Sequence, residues 1–308
     1  MIKGLNFIER NLDGYIDLDS YLLEKYGSVA IKNNSDIKRD SNIIMITINN
    51  AIYYFKPCSN EETFKEMLAD KMLEYLGIEH ACYDLACING EYGVISQNFK
   101  DSNYTYISGD DLIYEYYNDN NLEKEEFNFD KFNNLIDIWN LLEIRYNCYP
   151  NKEKIVKSIM YNLNEKFMFD IITCQWDGAS YNWMIAENST YAKLAPVYDN
   201  QKMLDGLDYD KNKNLNIKVD EFNQARTEYD NLVELKKYLN YSSEEFSQLF
   251  LNMFKSLTPA NIKWMLITIE SELRIKIPHK IKESILARYT YNYNQIEKIL
   301  EEELSKKR

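Results

Sequence analysis

Residues 164–182 read NEKFMFDIITCQWDGASYN, and residues 191–199 read YAKLAPVYD. The first stretch ends a long apolar helical pattern and places Asp177 and, five residues later, Asn182 directly after it. The second is a strand-like run that ends in Asp199. Carboxylate and amide oxygens are the ligands that Mg²⁺ prefers. The two stretches therefore predict a cation site built from oxygen ligands.

The composition limits the class of protein. The chain has 308 residues, of which 45% are hydrophobic and 28% charged, as in globular proteins with room for two lobes. The net charge of −13 argues against broad binding to a phosphate backbone. The beginning of the sequence has no continuous apolar signal-peptide core, and no run reaches transmembrane length. We therefore expect a cytoplasmic protein that binds neither nucleic acid nor membrane.

Cysteine and histidine are too few for several kinds of site. The five cysteines form an odd number without a close CxxC pair, which predicts free buried thiols instead of a disulfide framework. The two histidines, His80 and His279, nearly exclude zinc sites and histidine-dependent triads. We expect any chemistry to depend on carboxylates, amides and lysines.

Residues 43–99 predict two strands, a helix and two more strands. β-Branched and aromatic runs flank Asn49-Asn50, which is typical of a hairpin, and a second turn is predicted at Asn89-Gly90. The helix over 59–77 has a capping box at Ser59 and Glu62 and a terminal Gly77. Residues 100–128 are acidic and predict an irregular connection between two lobes.

The remainder predicts a mainly helical region. Apolar residues recur at helical spacing from about residue 130 and again over 152–173. Short strands are predicted around 183–185 and 191–197. Three helices are expected to close the chain, one capped by Ser242 and Glu245 and another starting at Thr258-Pro259.

Lys56 ends the strand IYYFK, and Glu66 lies in an apolar stripe of the following helix. An acid in such a stripe needs a partner. A strand lysine paired with a helix glutamate is how protein kinases hold the α- and β-phosphates of ATP. The plainer interpretations are a lysine that faces solvent and an ordinary salt bridge. The loop before the hairpin lacks glycine, so Lys38 and Arg39 are the candidates for supplying its charge.

The order of these parts resembles that of the HipA-like kinases. The residues that carry the resemblance are YYFKP, EMLADKMLEYLGI, GVISQNF, NEKFMFDIITCQWDGASYN and YAKLAPVYDN. The family patterns resemble N-x-D-x-H-x-x-N and L-A-P-x-Y-D, and the second is matched closely. The likeness covers roughly residues 30–205 convincingly, and the closing helices only in general character.

The resemblance implies an α+β, bilobed, protein-kinase-like fold. It implies a β-rich N-lobe over residues 1–100 and a larger helical C-lobe over residues 101–308. It also implies transfer of a phosphoryl group from ATP, with Mg²⁺, to Ser or Thr of a protein. It implies that Lys56 contacts the ATP phosphates and that Glu66 is its partner on the helix. It implies that Asp177 is the catalytic base and that Asn182 and Asp199 are Mg²⁺ ligands. The backbone of Gln97, Asn98 and Phe99 is expected to contact adenine.

Some positions depart from the family pattern. Ala179 replaces the histidine that usually follows the catalytic aspartate by two residues, and Gln175 stands where asparagine is common. The loss of the histidine bears on the rate of transfer more than on ATP binding. In HipA toxins a serine of the phosphate loop can be autophosphorylated, and Ser35 and Ser41 lie in the corresponding stretch.

Three functions stay open on the sequence. The first is an active Ser/Thr kinase, including a growth-regulating toxin. The second is a pseudokinase or nucleotide-binding module, favoured by Ala179 and the glycine-poor loop. The third is a kinase-fold enzyme whose acceptor is a lipid or a small molecule, or which transfers AMP to a protein. The sequence has no helix-turn-helix signature, so an antitoxin or regulatory partner is expected to be a separate protein.

Overall fold

The computed structural model describes residues 2–26, 37–40, 43–119, 135–175, 182–205, 207–209, 215–217, 235–236 and 244–306. Its strands are β1 Ile16–Asp17, β2 Ile37–Asp40, β3 Ile43–Ile48, β4 Ala51–Pro57, β5 Tyr83–Ile88, β6 Glu91–Gln97, β7 Thr105–Ser108, β8 Met184–Glu187, β9 Ala192–Leu194, β10 Leu207–Tyr209 and β11 Leu215–Ile217. Its helices are α1 Leu18–Tyr26, α2 Asn60–Leu76, α3 Gly109–Asp119, α4 Leu135–Arg145, α5 Lys152–Thr173, α6 Glu244–Ser256, α7 Pro259–Leu273 and α8 His279–Lys306.

The N-terminal part is built on a six-stranded sheet in the order β1-β5-β6-β4-β3-β2. All neighbours are antiparallel except β1 and β5. Both predicted turns are confirmed: Asn49 and Asn50 have φ of 50° and 64°, and Asn89 and Gly90 have φ of 53° and 71°. Left-handed φ at both central residues is the geometry that two-residue hairpin loops require.

Helix α2 joins this sheet to the helical part of the molecule. Its predicted ends are confirmed, because Ser59 and Glu62 form both hydrogen bonds of a capping box and Gly77 closes the helix at φ 73°. Its inner residues pack against β5 and β6 on one side and against α7 on the other. The large core that surrounds it also includes apolar residues of α5, α6, α7 and α8.

The prediction of an irregular connection over residues 100–128 is wrong in its first half. This stretch contains β7 and α3, and β7 pairs antiparallel with β8 to begin a three-stranded sheet. The partner strand lies almost eighty residues further along the chain, so local sequence signals could not reveal it. The apolar sides of α3, α4, α5 and this sheet enclose a second core.

The long helix α5 and the three closing helices were predicted and are confirmed. Thr258 caps α7 with Pro259 in its first turn, whereas Ser242 lies outside the described residues. The cysteines are free, but Cys82 and Cys148 are exposed, so the expectation of buried thiols holds for only part of the set. Among the described helices, none combines the length and apolar character that a membrane crossing demands.

Candidate active site

Lys56 and Asp199 meet where the six-stranded sheet approaches the segment that follows β9. Lys56 Nζ donates a hydrogen bond to Asp199 Oδ1 at 2.7 Å. The two side chains are 27% and 30% exposed, so a bound molecule can reach both. Asp199 has φ 60°, a left-handed conformation that is uncommon outside glycine. A cation and a carboxylate are therefore held together at a solvent-accessible point.

Three hydrogen bonds fix the backbone around Asp199. Its N–H donates to Tyr83 Oη at 3.2 Å, and its carbonyl accepts from Gln175 Nε2 at 3.0 Å. The N–H of Asn200 donates to Glu66 Oε1 at 3.0 Å. These contacts come from β5, from the end of α5 and from α2, so several elements together hold the unusual conformation. Such over-determined strain is typical of functional sites.

The structure corrects the expected contact between Lys56 and Glu66. Lys56 makes its ion pair with Asp199, while the Glu66 carboxylate holds the backbone of Asn200. Burial and the neighbouring Asp199 charge raise the pKa of Glu66 to about 8, and the Asn200 N–H, the Lys56 charge and Tyr83 oppose that shift. A buried carboxyl with so high a pKa is a weaker partner for a lysine than the partly exposed side chain of Asp199. Lys56 therefore acts on Glu66 through its charge alone.

Asn182 and Asp199 lie at the same end of the β8–β9 ribbon. Asn182 comes two residues before β8 and is only 3% exposed, and Asp199 follows β9. Because β8 and β9 run antiparallel, the start of one strand lies beside the end of the other. An amide oxygen, a carboxylate and a lysine ammonium are the kinds of group that hold a Mg²⁺–nucleotide.

Several predicted positions lie outside the described residues: Asp177, Ala179, Ser35 and Ser41. Lys38 is described only as a backbone position of β2. The two ends of the predicted catalytic loop are described: Gln175 donates a hydrogen bond to the Asp199 carbonyl, and Asn182 lies two residues before β8.

The stretch predicted to contact adenine begins at Gln97, the last residue of β6. The N–H of Asn98 is already used, because it donates to the carbonyl of Ile52 at 2.8 Å. The ring of Phe99 lies 5.7 Å from that of Tyr198 and 6.2 Å from that of Tyr106. Tyr198 directly precedes Asp199, so this aromatic cluster borders the Lys56–Asp199 pair.

Sequence reasoning missed the residues that position Asp199. Tyr83 and Asn200 carry no distinguishing signal in a chain so rich in tyrosine and asparagine. Gln175 was noted only as a departure from a family pattern. Its Nε2 supports Asp199, and its buried Oε1 has no hydrogen-bond partner among the described residues.

Comparison with solved structures identifies the fold. The chain superposes on the Helicobacter pylori proinflammatory kinase CtkA with a TM-score of 0.53 and 16% identity, covering 83% of this chain and 91% of that one. It also matches HipA from a Shewanella oneidensis MR-1 complex of HipA, HipB and operator DNA, with a TM-score of 0.47 and 12% identity over 84% of this chain and 61% of that one. The sequence itself matches no family model and no curated protein. The superposition on CtkA confirms the predicted α+β, kinase-like architecture at the level of the fold.

Proposed function

We propose that the chain is a kinase that transfers the γ-phosphoryl group of ATP to a Ser or Thr hydroxyl of a protein. The observation that supports this most strongly is the Lys56–Asp199 pair at 2.7 Å, placed at a partly exposed point of a kinase-like fold. The nucleotide would lie between a lobe formed by residues 1–100 and a lobe formed by residues 101–308. Gln97, Asn98 and Phe99 would border its adenine.

Each candidate residue has one task in this mechanism. Lys56 would leave Asp199 and donate to the α- and β-phosphates, while Asp199 and Asn182 would hold Mg²⁺. Bound Mg²⁺ would neutralise charge on the phosphate oxygens. Glu66, Tyr83 and Gln175 would keep the Asp199 backbone in place during this exchange of partners.

Asp177 would orient the acceptor hydroxyl and take its proton. The bond between the hydroxyl oxygen and the γ-phosphorus then forms as the bond from that phosphorus to the β,γ-bridging oxygen breaks, and ADP leaves. Because catalysis of this kind depends on positioning and charge, loss of the residues that hold Mg²⁺ is expected to abolish it.

The test is intact-mass measurement of the purified protein after incubation with Mg²⁺-ATP, alone and with a mixture of protein substrates. Asp199→Asn is the test variant, and Asp13→Asn, at an exposed loop position, is its matched control. We expect mass increases in steps of one phosphate in the wild type and in the control, and none in Asp199→Asn. Thermal unfolding of all three proteins checks that the variants are folded.

Other outcomes would replace the proposal. Stabilisation by Mg²⁺-ATP without phosphate on any protein would favour a nucleotide-binding module. A step that matches AMP would indicate nucleotidyl transfer. The absence of both stabilisation and a mass change would contradict nucleotide binding at Lys56 and Asp199.

The sequence resemblance extends the proposal to a partner. We propose that an antitoxin or regulatory protein, if this chain acts as a toxin, is a separate chain. Expression that arrests growth with wild-type protein but not with Asp199→Asn would support this role. Equal arrest by both would contradict a role that depends on phosphoryl transfer.

A further inference from the structure

A second cluster of reactive side chains lies one helical turn beyond Glu66. Asp70 of α2, His80 and Cys82 each direct one ligand atom into a small volume, and these atoms all lie within 4.8 Å of one another. Asp70 Oδ1 and His80 Nε2 are 3.5 Å apart. No residue of this cluster has a role in the proposed phosphoryl transfer.

The histidine ring is oriented as in a metal site. His80 Nδ1 lies 2.7 Å from the carbonyl oxygen of Ile78, and because a carbonyl only accepts, Nδ1 carries a proton. Protein metal ligands of this kind usually donate their second ring N–H to such a group, which leaves Nε2 free to coordinate. Here Nε2 is the atom that faces Asp70.

The short distance between Asp70 Oδ1 and His80 Nε2 is explained by a positive charge near both atoms. In the neutral ring with its proton on Nδ1, Nε2 presents a lone pair to a carboxylate oxygen, and two such acceptors repel each other. A proton on Nε2 would also remove the repulsion: burial lowers the pKa of His80, but the contacts with Asp70 and the Ile78 carbonyl outweigh burial and raise it. The 3.5 Å distance is longer than the roughly 2.7–3.2 Å of ordinary N–H···O bonds. Ligand atoms around a tetrahedral ion at about 2.0–2.3 Å are roughly 3.3–3.8 Å apart. The observed distance fits that geometry.

Protein contacts hold the cluster in place on its buried side, and its other side is open to solvent. Asp70 is 5% exposed and accepts a hydrogen bond from the N–H of Tyr83 at 3.1 Å. His80 is fixed by Ile78, and residues on either side of it are tied to Val197 by backbone hydrogen bonds. Cys82 is exposed, so an ion can enter from solvent. The site is therefore largely preformed.

We propose that Asp70, His80 and Cys82 bind one divalent transition-metal ion of the zinc class. Carboxylate oxygen, imidazole nitrogen and thiolate sulfur are the three ligand types that Zn²⁺ accepts, and three protein ligands leave a fourth position for water. Coordination would require loss of the Cys82 thiol proton to solvent. Hard cations such as Mg²⁺ would be excluded by the sulfur and nitrogen ligands. This inference does not rest on the proposed kinase activity.

The test uses the full chain, stripped of metal under reducing conditions, and titrated with Zn²⁺ in a calorimeter and with Co²⁺ in a spectrophotometer. The variants are Cys82→Ser and His80→Gln. The chain offers a matched control for each: Cys148→Ser at the other exposed cysteine, and His279→Gln, whose side chain is 89% exposed. Circular dichroism verifies that every variant is folded.

We expect one Zn²⁺ per chain in the wild type and in both controls. Co²⁺ should give an absorption band for sulfur-to-metal charge transfer in the same three proteins. Cys82→Ser should lose the band and weaken Zn²⁺ binding by more than the roughly 10–100-fold that changes outside the ligand set cause. His80→Gln should weaken it to a similar extent. Cys82→Ser alone decides the matter if His80→Gln is unfolded, because an exposed serine is tolerated without repacking.

Three results would overturn the proposal. The first is a wild type that binds no Zn²⁺. The second is a Co²⁺ complex without the sulfur band. The third is Zn²⁺ affinity that is unchanged in Cys82→Ser, or lost equally in Cys148→Ser.

Discussion

Glu66 and Asp70 lie one turn apart on the same face of α2, and both are buried, yet their surroundings differ in chemistry. Glu66 lies among Asp199, the Lys56 charge and the Asn200 N–H. Asp70 lies beside His80 and Cys82. The first environment offers a cation and hard oxygen atoms, which suit phosphate and Mg²⁺. The second adds nitrogen and sulfur, which suit softer ions.

The helix face therefore determines only where each acid lies, and the partners of the acid determine its chemistry. The partners come from different elements. Glu66 has the strand before α2 and the distant segment after β9, whereas Asp70 has the link that directly follows α2 and leads to β5. Tyr83 touches both environments, since its N–H donates to Asp70 and its hydroxyl accepts from the Asp199 N–H. One residue thus connects two sites of different chemistry.

The largest effect is expected from removing the cation at the Glu66 end. Lys56→Met should lower phosphoryl transfer by about 100- to 1000-fold, the typical cost of losing one charge-stabilising donor. Its effect on stability should stay within about 1 kcal/mol, because the Lys56–Asp199 pair is partly exposed. Steady-state transfer rates and urea unfolding measure the two quantities.

Lys71→Met is the matched control at the Asp70 end of the helix. Lys71 makes ion pairs with Glu74 and Glu272 and takes no part in the proposed transfer. Its loss should leave the transfer rate within about twofold, because Lys71 contacts none of the residues proposed to act in transfer. Retention of full activity by Lys56→Met would show that the two ends of the face do not differ as proposed.

A smaller effect is expected at the residue that the two sites share. Tyr83→Phe keeps the N–H that supports Asp70 but removes the hydroxyl that contacts Asp199 and Glu66. Phosphoryl transfer should fall about tenfold, in line with the loss of one or two hydrogen bonds of about 1 kcal/mol. Zn²⁺ affinity, measured by calorimetry on the same sample, should change by less than about threefold, because the Asp70 contact is retained.

The two readouts on this variant separate the sites. Equal losses of transfer and of Zn²⁺ binding would mean that Tyr83 acts only by supporting the fold. Tyr104→Phe, which removes a tyrosine hydroxyl outside both clusters, is the control for the loss of a phenolic oxygen.

Local signals in the sequence predicted the elements around these sites well. The Ser59–Glu62 capping box, Gly77 and the Asn49-Asn50 turn each specify a backbone conformation within a few residues, and all are present. The strand at Thr105–Ser108 was missed because its stability depends on β8, a distant partner. Pairing between remote segments is not encoded in any local pattern.

The candidate sites show the same limit. The sequence predicted Lys56, Glu66, Asn182 and Asp199 because their order along the chain resembles that of a known family. The actual partner of Lys56 depends on the burial of Glu66, which the sequence does not give. The scarcity of histidine was taken to exclude zinc almost entirely. A three-ligand site needs only one histidine, and the fold brings His80 to Asp70 and Cys82. Counting residues could not reveal that arrangement.

The smallest effect concerns Glu62, a third acid one turn before Glu66 on α2. Burial alone would raise its pKa, but hydrogen bonds from Lys202 and Ser59 outweigh burial and lower it to about 2, opposite to the shift at Glu66. Because the folded-state pKa lies below the ordinary value of 4.5, this acid stabilises the fold above about pH 4.5. That contribution is lost as the pH falls from about 4.5 to about 2.

Glu62→Gln should therefore lower the free energy of unfolding by about 1 kcal/mol at pH 7, the usual value of a helix cap. Urea unfolding of wild type and variant should give curves that converge as the pH falls toward 2, since the wild-type carboxylate is then protonated too. Glu79→Gln, at an acid whose side chain is 63% exposed, is the control and should change the free energy of unfolding at pH 7 by less than about 0.5 kcal/mol. A Glu62→Gln deficit that stays constant across this range would assign the stabilisation to the shape of the cap and not to its charge. In that case the lowered pKa of Glu62, opposite to the shift at Glu66, would make no contribution to the free energy of unfolding.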